Sequence, residues 1–319
     1  MTNKEEYQQI CDRCTNIPIY SQYWWMEAVC AGKSWDVIIT HDSNGTVTAT
    51  LPYLLGSKLG QRFIVMPPLT QTNGICYHYP ANISEHERLA FEKKWGFEVI
   101  NRIKQLKIDL YLQNFSPAVS NWLPFYWAGF QQTTRYTYLI KDISNTDEVF
   151  KQFSSAKQRQ IRKAERNGLT LKENQLSPAQ FYGYHNRLIE RKGEKEEIAE
   201  TAFIHLAEAA LKRGQGAILS IEGDNGETQS ALFMVWDDSC AYYLVPANDR
   251  NFSTTGAPTL LVWEAIKKAS KHCKTFDFEG SMAESIENSY NQFGTTQTAY
   301  SEISKTNSCI ARIWFHFQR

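Results

Sequence analysis

No run of apolar residues in this chain approaches the ~20 residues that an α-helix needs to cross a bilayer. The first residues, MTNKEEYQQICDRC, lack the apolar core of a secretory signal. A net charge is also absent, because 34 basic residues balance 34 acidic residues. No global field therefore attracts DNA or a membrane, and any such attraction must come from a local patch. We expect a cytoplasmic protein that has no membrane span and does not bind DNA.

Closely spaced cysteines are nearly absent as well. The chain has 7 cysteines, an odd number scattered along its length, which indicates reduced thiols. Cys11 and Cys14 have C-x-x-C spacing, and no matching pair follows downstream. Because a structural zinc site needs about four ligands, we predict no metal site.

What the sequence does contain is a regular order of short patterned segments. Three β-like runs, 35–40, 46–55 and 62–66, are joined by the turn-forming segments HDSNG and GSKLG. This arrangement predicts an antiparallel meander. A capping-box spacing that starts at Ser84 then predicts a helix to about residue 106. The mostly apolar run 108–115 follows and predicts a strand buried on both faces.

The second half of the chain repeats this order. Its three β-like runs, again separated by turn-forming residues, are 216–222, 228–236 and 241–245. A helix at 258–272 and a short strand at 275–278 follow them. The segments that end the two halves also match: GFQQTTRYTYLIK and FGTTQTAYSEISK. The chain is long enough for two domains, so we predict a duplication into domains 1–143 and 144–319. A final strand at about 308–319 is a candidate to return to the first domain.

A basic helix lies between the two meanders. Within SSAKQRQIRKAERNG, four cations have the spacing i, i+3, i+4, i+7 and therefore share one helical face: Arg159, Arg162, Lys163 and Arg166. This face could contact the phosphate of a nucleotide, a lipid or a tRNA. A solvated helix face is the other interpretation and the commoner outcome for such a run.

Four segments carry a family resemblance: KQRQIRKAERNGL, LLVWEAIKKA, FDFEGS and NQFG, in that order. With them, the chain resembles the FemAB/FemX-like branch of the GNAT superfamily over nearly its whole length. The resemblance implies an α+β fold of two tandem GNAT-like (acyl-CoA N-acyltransferase) domains, each a mixed, largely antiparallel sheet flanked by helices. It also implies transfer of an acyl or aminoacyl group to an amine, with no permanently bound cofactor.

The resemblance also implies site residues. Those for the acyl donor are Gly256, Thr259, Tyr290, Asn291 and Phe293. Those for the acceptor are Arg135, Arg187, Arg191 and Lys192. For several of them a structural role is an open alternative. Phe293 could pack in the core, and Asn291 could form a turn. Arg187, Arg191 and Lys192 could lie at a helix C-terminus, where cations are favourable.

Asp277 and Glu279 are the candidate catalytic residues. They alternate with Phe276 and Phe278 in the short strand, so we expect both carboxylates to face away from the aromatic rings. Amide formation needs a neutral amine, and a carboxylate could take the proton of an attacking ammonium or only hold that ammonium. The alternative is that one carboxylate caps the helix that follows Ser281.

Three features leave the co-substrate open between acyl-CoA and aminoacyl-tRNA. Tyr290-Asn291 stands where cross-bridge enzymes of the family usually have Phe-Lys. The region 175–213 is too short for the helical hairpin that some members use for tRNA. The loop DRNFSTTGAP fits the R/Q-x-x-G-x-G/A phosphate loop of thioester-using GNATs only loosely. Backbone N–H groups at the following helix start could still hold a phosphate.

The predicted function is therefore an N-acyltransferase that acts on an amine of a cell-envelope or saccharide-linked precursor. The acceptor would be a small molecule, nucleotide- or lipid-linked, and tRNA is a candidate partner. One alternative is an aminoacyl-tRNA-dependent peptidoglycan cross-bridge transferase. Another, from a different class, is a non-catalytic GNAT-like binding module.

Overall fold

A computed structural model describes residues 1–14, 16–195, 197–280, 282–309 and 311–312 of the chain. The helices are α1 Asn3–Arg13, α2 Tyr23–Val29, α3 Glu85–Gln105, α4 Leu123–Trp127, α5 Thr146–Gln152, α6 Ser155–Arg166, α7 Pro178–Arg191, α8 Glu200–Lys212, α9 Ala257–Ala269 and α10 Glu284–Asn291. The strands are β1 Ser34–His41, β2 Val47–Lys58, β3 Gln61–Val65, β4 Cys76–Tyr77, β5 Leu110–Asn114, β6 Gln131–Ile140, β7 Thr170–Glu173, β8 Gly216–Glu222, β9 Thr228–Trp236, β10 Cys240–Asn248, β11 Thr275–Asp277 and β12 Thr296–Thr306. Among these helices, none is long and apolar enough to cross a membrane.

The chain forms two compact units. Unit 1 contains Met1–Arg135 and the described residues from Ala299 onward, and unit 2 contains Tyr136–Thr298. The boundary between the two domains predicted from the sequence is at residue 143 instead. The difference arises because β6, at the end of the predicted first domain, pairs through Leu139 and Ile140 with β11 of unit 2.

Unit 1 is a mixed sheet covered by α3. The strand order is β1-β2-β3-β5-β12, with β4 beside β2. The expected meander β1-β2-β3 is antiparallel, β3 and β5 are parallel, and β5 and β12 are antiparallel. Trp95, Val99 and Ile103 repeat every four residues along α3, so they lie on one face and are buried in the core of the unit. The predicted capping box at Ser84 is present.

Unit 2 repeats the same arrangement of strands. Its order is β6-β11-β10-β9-β8-β7, in which β10 and β11 are parallel and the other pairs are antiparallel. The apolar start of α9, including Leu260, Leu261 and Val262, is buried in the core of this unit. Each unit therefore has an antiparallel meander, a helix and then a parallel strand, as the internal repeat predicts.

The predicted last strand is wrong where the structure describes it. Cys309, Ala311 and Arg312 are helical. The Ser308 hydroxyl accepts a hydrogen bond from the backbone N–H of Ala311 (3.0 Å), which is how an N-cap residue begins a helix. The rest of the predicted strand, residues 310 and 313–319, lies outside the described residues. The strand that joins unit 1 is β12, through Glu302–Thr306.

Candidate functional site

Strands β10 and β11 of unit 2 are parallel neighbours, and their pairing ends at Asp277, the last residue of β11. The strands pair at Cys240↔Thr275, Ala241↔Phe276 and Tyr242↔Asp277, where β11 ends. Strand β10 continues to Asn248, and on its β11 side no described strand pairs with residues 243–248. We call this segment the β10 edge. Its backbone groups on that side are available to an extended ligand, as the edge of a sheet is to an added strand.

Asp277 is the last residue of β11, at the point where the two strands separate. Its side chain is buried, with 6 % exposed. One carboxylate oxygen, Oδ1, accepts hydrogen bonds from the Thr137 hydroxyl and from the backbone N–H of Glu279 (2.8 Å). Burial raises the pKa of Asp277 to about 6, against the lowering effect of these two hydrogen bonds. The group is therefore mostly ionised at neutral pH, yet its pKa is close enough to accept a proton efficiently.

Glu279 lies beyond the strand rather than in it. Its φ is 53°, in the left-handed region, so the alternation expected from Phe276 to Glu279 stops at Asp277. The chain turns here because Gly280 passes close to β6: a Cβ on Gly280 would lie 1.5 Å from the carbonyl oxygen of Tyr136. The rings of Phe276 and Phe278 are both fully buried, and their centroids lie 5.2 Å apart.

Tyr290 packs beside both carboxylates and beside the β10 edge. Its ring lies 4.8 Å from that of Phe278 and 6.4 Å from that of Tyr243, a residue of the β10 edge. Burial raises the pKa of Tyr290, and Tyr243, Glu279 and Asp277 raise it further. Its phenol therefore stays protonated at neutral pH and can donate a hydrogen bond.

The other predicted donor residues differ in accessibility. Phe293 is buried and packs on Phe278 with ring centroids 5.3 Å apart, so core packing accounts for it. Asn291 is exposed at the last position of α10.

Gly256 and Thr259 are at the start of α9, where α6 packs against them. Gly256 has φ 91°, and a Cβ there would lie 2.4 Å from the carbonyl oxygen of Gln160. The Thr259 hydroxyl donates to Gln160 Oε1 at 2.6 Å. The side chain of Thr259 therefore helps to pack α9 on α6. An acyl donor could approach mainly the loop that precedes α9, residues 249–255.

The basic face of α6 lies beside this loop. All four predicted cations, Arg159, Arg162, Lys163 and Arg166, are exposed. The buried residues of the helix, Ile161 and Ala164, lie on its other side. Lys163 Nζ donates to the carbonyl oxygen of Thr254 at 2.8 Å, which ties the basic face to the loop.

Three predicted acceptor residues cluster at the end of α7, near the start of the same loop. Arg191 Nη1 is 3.0 Å from Oδ2 of Asp249, the residue that follows β10. Burial raises the pKa of Tyr184, as does Asp249, whereas Arg191 and Arg187 lower it, so these groups lie close together. Lys192 is the exposed C-cap residue of α7.

Arg135 belongs to unit 1 and has a partner there. Its Nε and Nη2 both contact Glu302 Oε2, at 3.0 and 2.6 Å. Glu302 is only 4 % exposed. The guanidinium therefore compensates a buried carboxylate, a structural role that the sequence did not suggest.

Lys157 is a candidate site residue that the sequence analysis missed. Its Nζ lies 4.5 Å from the ring centroid of Phe293 and 3.2 Å from Ser289 Oγ. Burial lowers its pKa, and no carboxylate among the described residues forms an ion pair with it. The signal was present, because Lys157, Ile161 and Ala164 have the spacing i, i+4, i+7 and share the buried face of α6.

Unit 2 thus contains two groups of candidate residues. One surrounds the end of β11 and the Phe278–Phe293 rings: Asp277, Glu279, Tyr290 and Lys157. The other surrounds the loop before α9: Gly256, Lys163, Arg187 and Arg191. The β10 edge leads from the first group to the second, because it begins beside Tyr290 and ends at Asn248, the residue before Asp249.

Comparisons with known proteins agree with this architecture. Residues 152–285 match a family model described as an acetyltransferase (GNAT) domain. No curated protein sequence matches the chain.

Solved structures match over almost the whole chain. The crystal structure of FemX matches with a TM-score of 0.71 at 13% identity, and the match covers 94% of this chain and 96% of the FemX chain. The C-terminal domain of a putative lysylphosphatidylglycerol synthetase from Agrobacterium fabrum has a TM-score of 0.62 at 9% identity, covering 98% and 95%. A tandem GNAT protein from the clavulanic acid biosynthesis pathway has a TM-score of 0.54 at 8% identity, covering 95% and 93%. At these identities the likeness concerns the fold. The predicted resemblance to FemAB/FemX-like GNAT proteins and the predicted fold class are confirmed.

Proposed function

We propose, from the tandem GNAT-like fold that this chain shares with FemX, that the protein is an N-acyltransferase. It would move an acyl or aminoacyl group to an amine of a cell-envelope or saccharide-linked precursor. The observation that carries the proposal is the separation of β10 from β11 at Asp277, which leaves a strand edge next to a buried carboxylate whose pKa is about 6.

The donor would lie along the β10 edge. An acyl-CoA carries amide groups in an extended arm, and these can form strand-like hydrogen bonds with exposed backbone groups. Its phosphates would lie at the loop 249–255, beside the basic face of α6. Arg159 and Arg166 fit this role, because the guanidinium group of neither forms an ion pair or hydrogen bond with another described residue. The strand edge favours a thioester donor over the 3′ end of a charged tRNA, which has no comparable run of amides.

The chemistry follows from the groups at the end of β11. The amine nitrogen forms a bond to the carbonyl carbon, and the C–S bond of the thioester, or the C–O bond of an aminoacyl ester, breaks. Asp277 would take a proton from the acceptor ammonium before the attack, because only the neutral amine has a free electron pair, and this proton would then pass to the departing thiolate or alkoxide. Tyr290, kept protonated by burial, would donate a hydrogen bond to the oxygen that becomes negative in the tetrahedral intermediate.

The acceptor would approach from the end of α7. Arg187 and Lys192 are exposed there, while Arg191 is held by Asp249. A cationic surface at this position suits the phosphates of a nucleotide- or lipid-linked amine. An aminoacyl-tRNA donor is the second candidate, and the basic face of α6 favours it, since four exposed cations could bind an RNA backbone.

Ligand-dependent thermal melting tests the proposal. Coenzyme A, acetyl-CoA, charged tRNA and a nucleotide-linked muropeptide would each be added to the full chain. A donor at about 100 times its Kd should stabilise the native state by about 2.7 kcal/mol, which corresponds to a rise in Tm of roughly 5–10 °C for units of this size.

Two variants locate the binding. Replacing Arg159 and Arg166 by Gln should reduce the rise in Tm for the donor that binds. A control variant, Lys212→Gln, removes one exposed charge at the end of α8, away from this loop, and should leave the rise unchanged. If no donor raises Tm, the protein is a binding module for another ligand and the transferase assignment is wrong.

A further inference from the structure

Unit 1 contains a basic pocket that the proposed function does not use. The pocket has a volume of about 330 Å³. Its walls are apolar and include Ile103, Tyr111 and Phe130, and its cations are Lys104, Lys107 and Lys305. We call it the lysine pocket.

The three lysines of this pocket have no acidic partner among the described residues. Lys305 Nζ donates to the carbonyl oxygen of Ala128 at 2.7 Å and lies 5.0 Å from the ring centroid of Phe130. Burial lowers the pKa of Lys305, and the positive charge of Lys104 lowers it further. Asp109 is close along the chain, but its carboxylate binds the backbone N–H of Arg62 at 2.8 Å. An anion in the pocket would relieve the repulsion between the lysines.

Exposed apolar side chains lie on the helix that precedes a residue contacted by the lysine pocket. Ala128, which Lys305 contacts, follows the short helix α4, and three side chains of that helix face solvent. Leu123 is 47% exposed, Tyr126 58% and Trp127 52%. Trp127 stacks on Phe97 at 6.2 Å and has the ammonium of Lys93 5.4 Å from its ring. We call Leu123, Tyr126 and Trp127 the α4 face.

We propose that the lysine pocket and the α4 face form a docking surface for an anionic lipid bilayer. The phosphate of a lipid headgroup would lie among the three lysines. Trp127 and Tyr126 would lie at the level of the headgroups, where amphipathic aromatic rings are favourable. The chain as a whole has no net charge, so attraction to a membrane requires a local patch, and this surface is one.

A bilayer accounts for both halves of the surface at once. An RNA backbone would satisfy the lysines, but it would leave the aliphatic Leu123 and the apolar pocket walls without a matching group. A second copy of this chain would cover the α4 face, but it would have to bring an anion to the lysines. An anionic amphiphile carries the negative charge and the apolar part in one molecule.

Vesicle sedimentation tests the proposal with the full chain. We expect binding to vesicles of phosphatidylcholine mixed with phosphatidylglycerol, and none to phosphatidylcholine alone. Each lysine near an anionic surface contributes about fivefold to binding, so Lys104→Gln, Lys107→Gln and Lys305→Gln together should reduce it on the order of a hundredfold. Because Lys305 also contacts Ala128, the Lys104→Gln, Lys107→Gln pair serves as a second variant, with a loss of about 25-fold.

Matched controls come from other exposed positions. A variant with Lys33→Gln, Lys58→Gln and Lys212→Gln removes the same charge elsewhere and should bind as the parent does. Trp127→Ser should weaken vesicle binding. Leu59→Ser, which removes a side chain that is 91% exposed away from the lysine pocket, should not. Circular dichroism would verify that each variant is folded.

Four results would overturn the proposal. The first is equal loss of vesicle binding in the lysine-pocket and control variants. The second is binding of soluble glycerol phosphate without binding of vesicles, which would make the pocket a small-ligand site. The third is self-association of a protein that does not bind vesicles, provided that Trp127→Ser abolishes this self-association. The fourth is a tRNA mobility shift, lost in the lysine-pocket variants, again without vesicle binding.

Discussion

Replacing Asp277 by Asn should increase the stability of the protein relative to the parent as the pH rises from acidic to neutral values. The carboxylate is 6 % exposed and its pKa is raised from 3.8 to about 6, chiefly by burial. A raised pKa means that the native state holds the proton more tightly than the unfolded state does. The associated stability is present below the unfolded pKa of 3.8 and is lost as the pH rises through about 6.

The size of the effect follows from the shift. A difference of about two pKa units corresponds to about 3 kcal/mol, at 1.36 kcal/mol per unit. The parent should lose that amount of unfolding free energy between about pH 4 and pH 7, relative to the Asn variant. The amide cannot ionise, yet its oxygen can still accept from Thr137 and from the Glu279 backbone. Any cost of placing its NH₂ group is the same at every pH, so it cancels from the comparison.

Guanidinium unfolding of both proteins at several pH values measures this difference. Asp42→Asn is a control of opposite sign, because the backbone N–H groups of Thr46 and Asn44 lower the pKa of Asp42. That variant should be less stable than the parent above about pH 4, and this difference should shrink as the pH falls below 3.8 through the lowered pKa of Asp42. A stability difference between parent and Asp277→Asn that does not change from pH 4 to pH 8 would refute the raised pKa, and with it the proton-acceptor role.

Three further predictions concern other positions. Gly256→Ala should destabilise the protein by about 1–3 kcal/mol in chemical unfolding, because its φ is positive and the new Cβ would meet the carbonyl oxygen of Gln160; an unchanged midpoint would contradict the packing of α6 on α9. Arg135→Gln should cost on the order of 3 kcal/mol by removing the guanidinium charge that compensates the buried Glu302 carboxylate, and a double-mutant cycle with Glu302→Gln should recover much of that loss; additive effects would count against the pair. Lys157→Met should change stability little at pH 7. Burial disfavours the ammonium and lowers its pKa, and Met replaces it with an apolar chain of similar length. A large loss would mean that the charge itself stabilises unit 2.

The local parts of the fold can be predicted from the sequence. Both meanders follow from alternating runs and turn residues, and α9 follows from the apolar segment after Pro258. The helix α1 was also encoded, since Thr2 and Glu5 form a capping box, although the sequence analysis did not use that spacing. These features depend on residues close together in the chain, which is why a pattern reveals them.

Pairing between distant strands is what local patterns cannot give. Nothing in the residues around β6 indicates that it pairs with β11, or that β12 pairs with β5, because those contacts join segments more than a hundred residues apart. The same limit applies to the site. Asp277 was identified from its strand, but its burial and its bond from Thr137 depend on β6, and the partner of Arg135 comes from β12.

The final error has a physical cause. In an extended chain, Arg312 and His316 would lie on one side of residues 309–317, and Ala311, Ile313, Phe315 and Phe317 on the other, which favours a strand. Ser308 precedes them as an N-cap residue. In the described residues the cap prevails, since Arg312 N–H also bonds the carbonyl oxygen of Ser308 at 3.1 Å. Two local signals conflict here, and the N-cap at Ser308 determines the conformation of the residues that follow it.

The most direct test of the central claim is a transfer assay read by mass spectrometry. The full chain would be incubated with acetyl-CoA, a longer acyl-CoA or a charged tRNA, together with a nucleotide-linked amine, at pH values from 5 to 8. We predict an amide product from at least one donor, at a rate that rises with pH through about 6 as Asp277 ionises and that falls at least a hundredfold in Asp277→Asn. An amide product formed equally well by Asp277→Asn, or no product from a donor that demonstrably binds, would contradict the account.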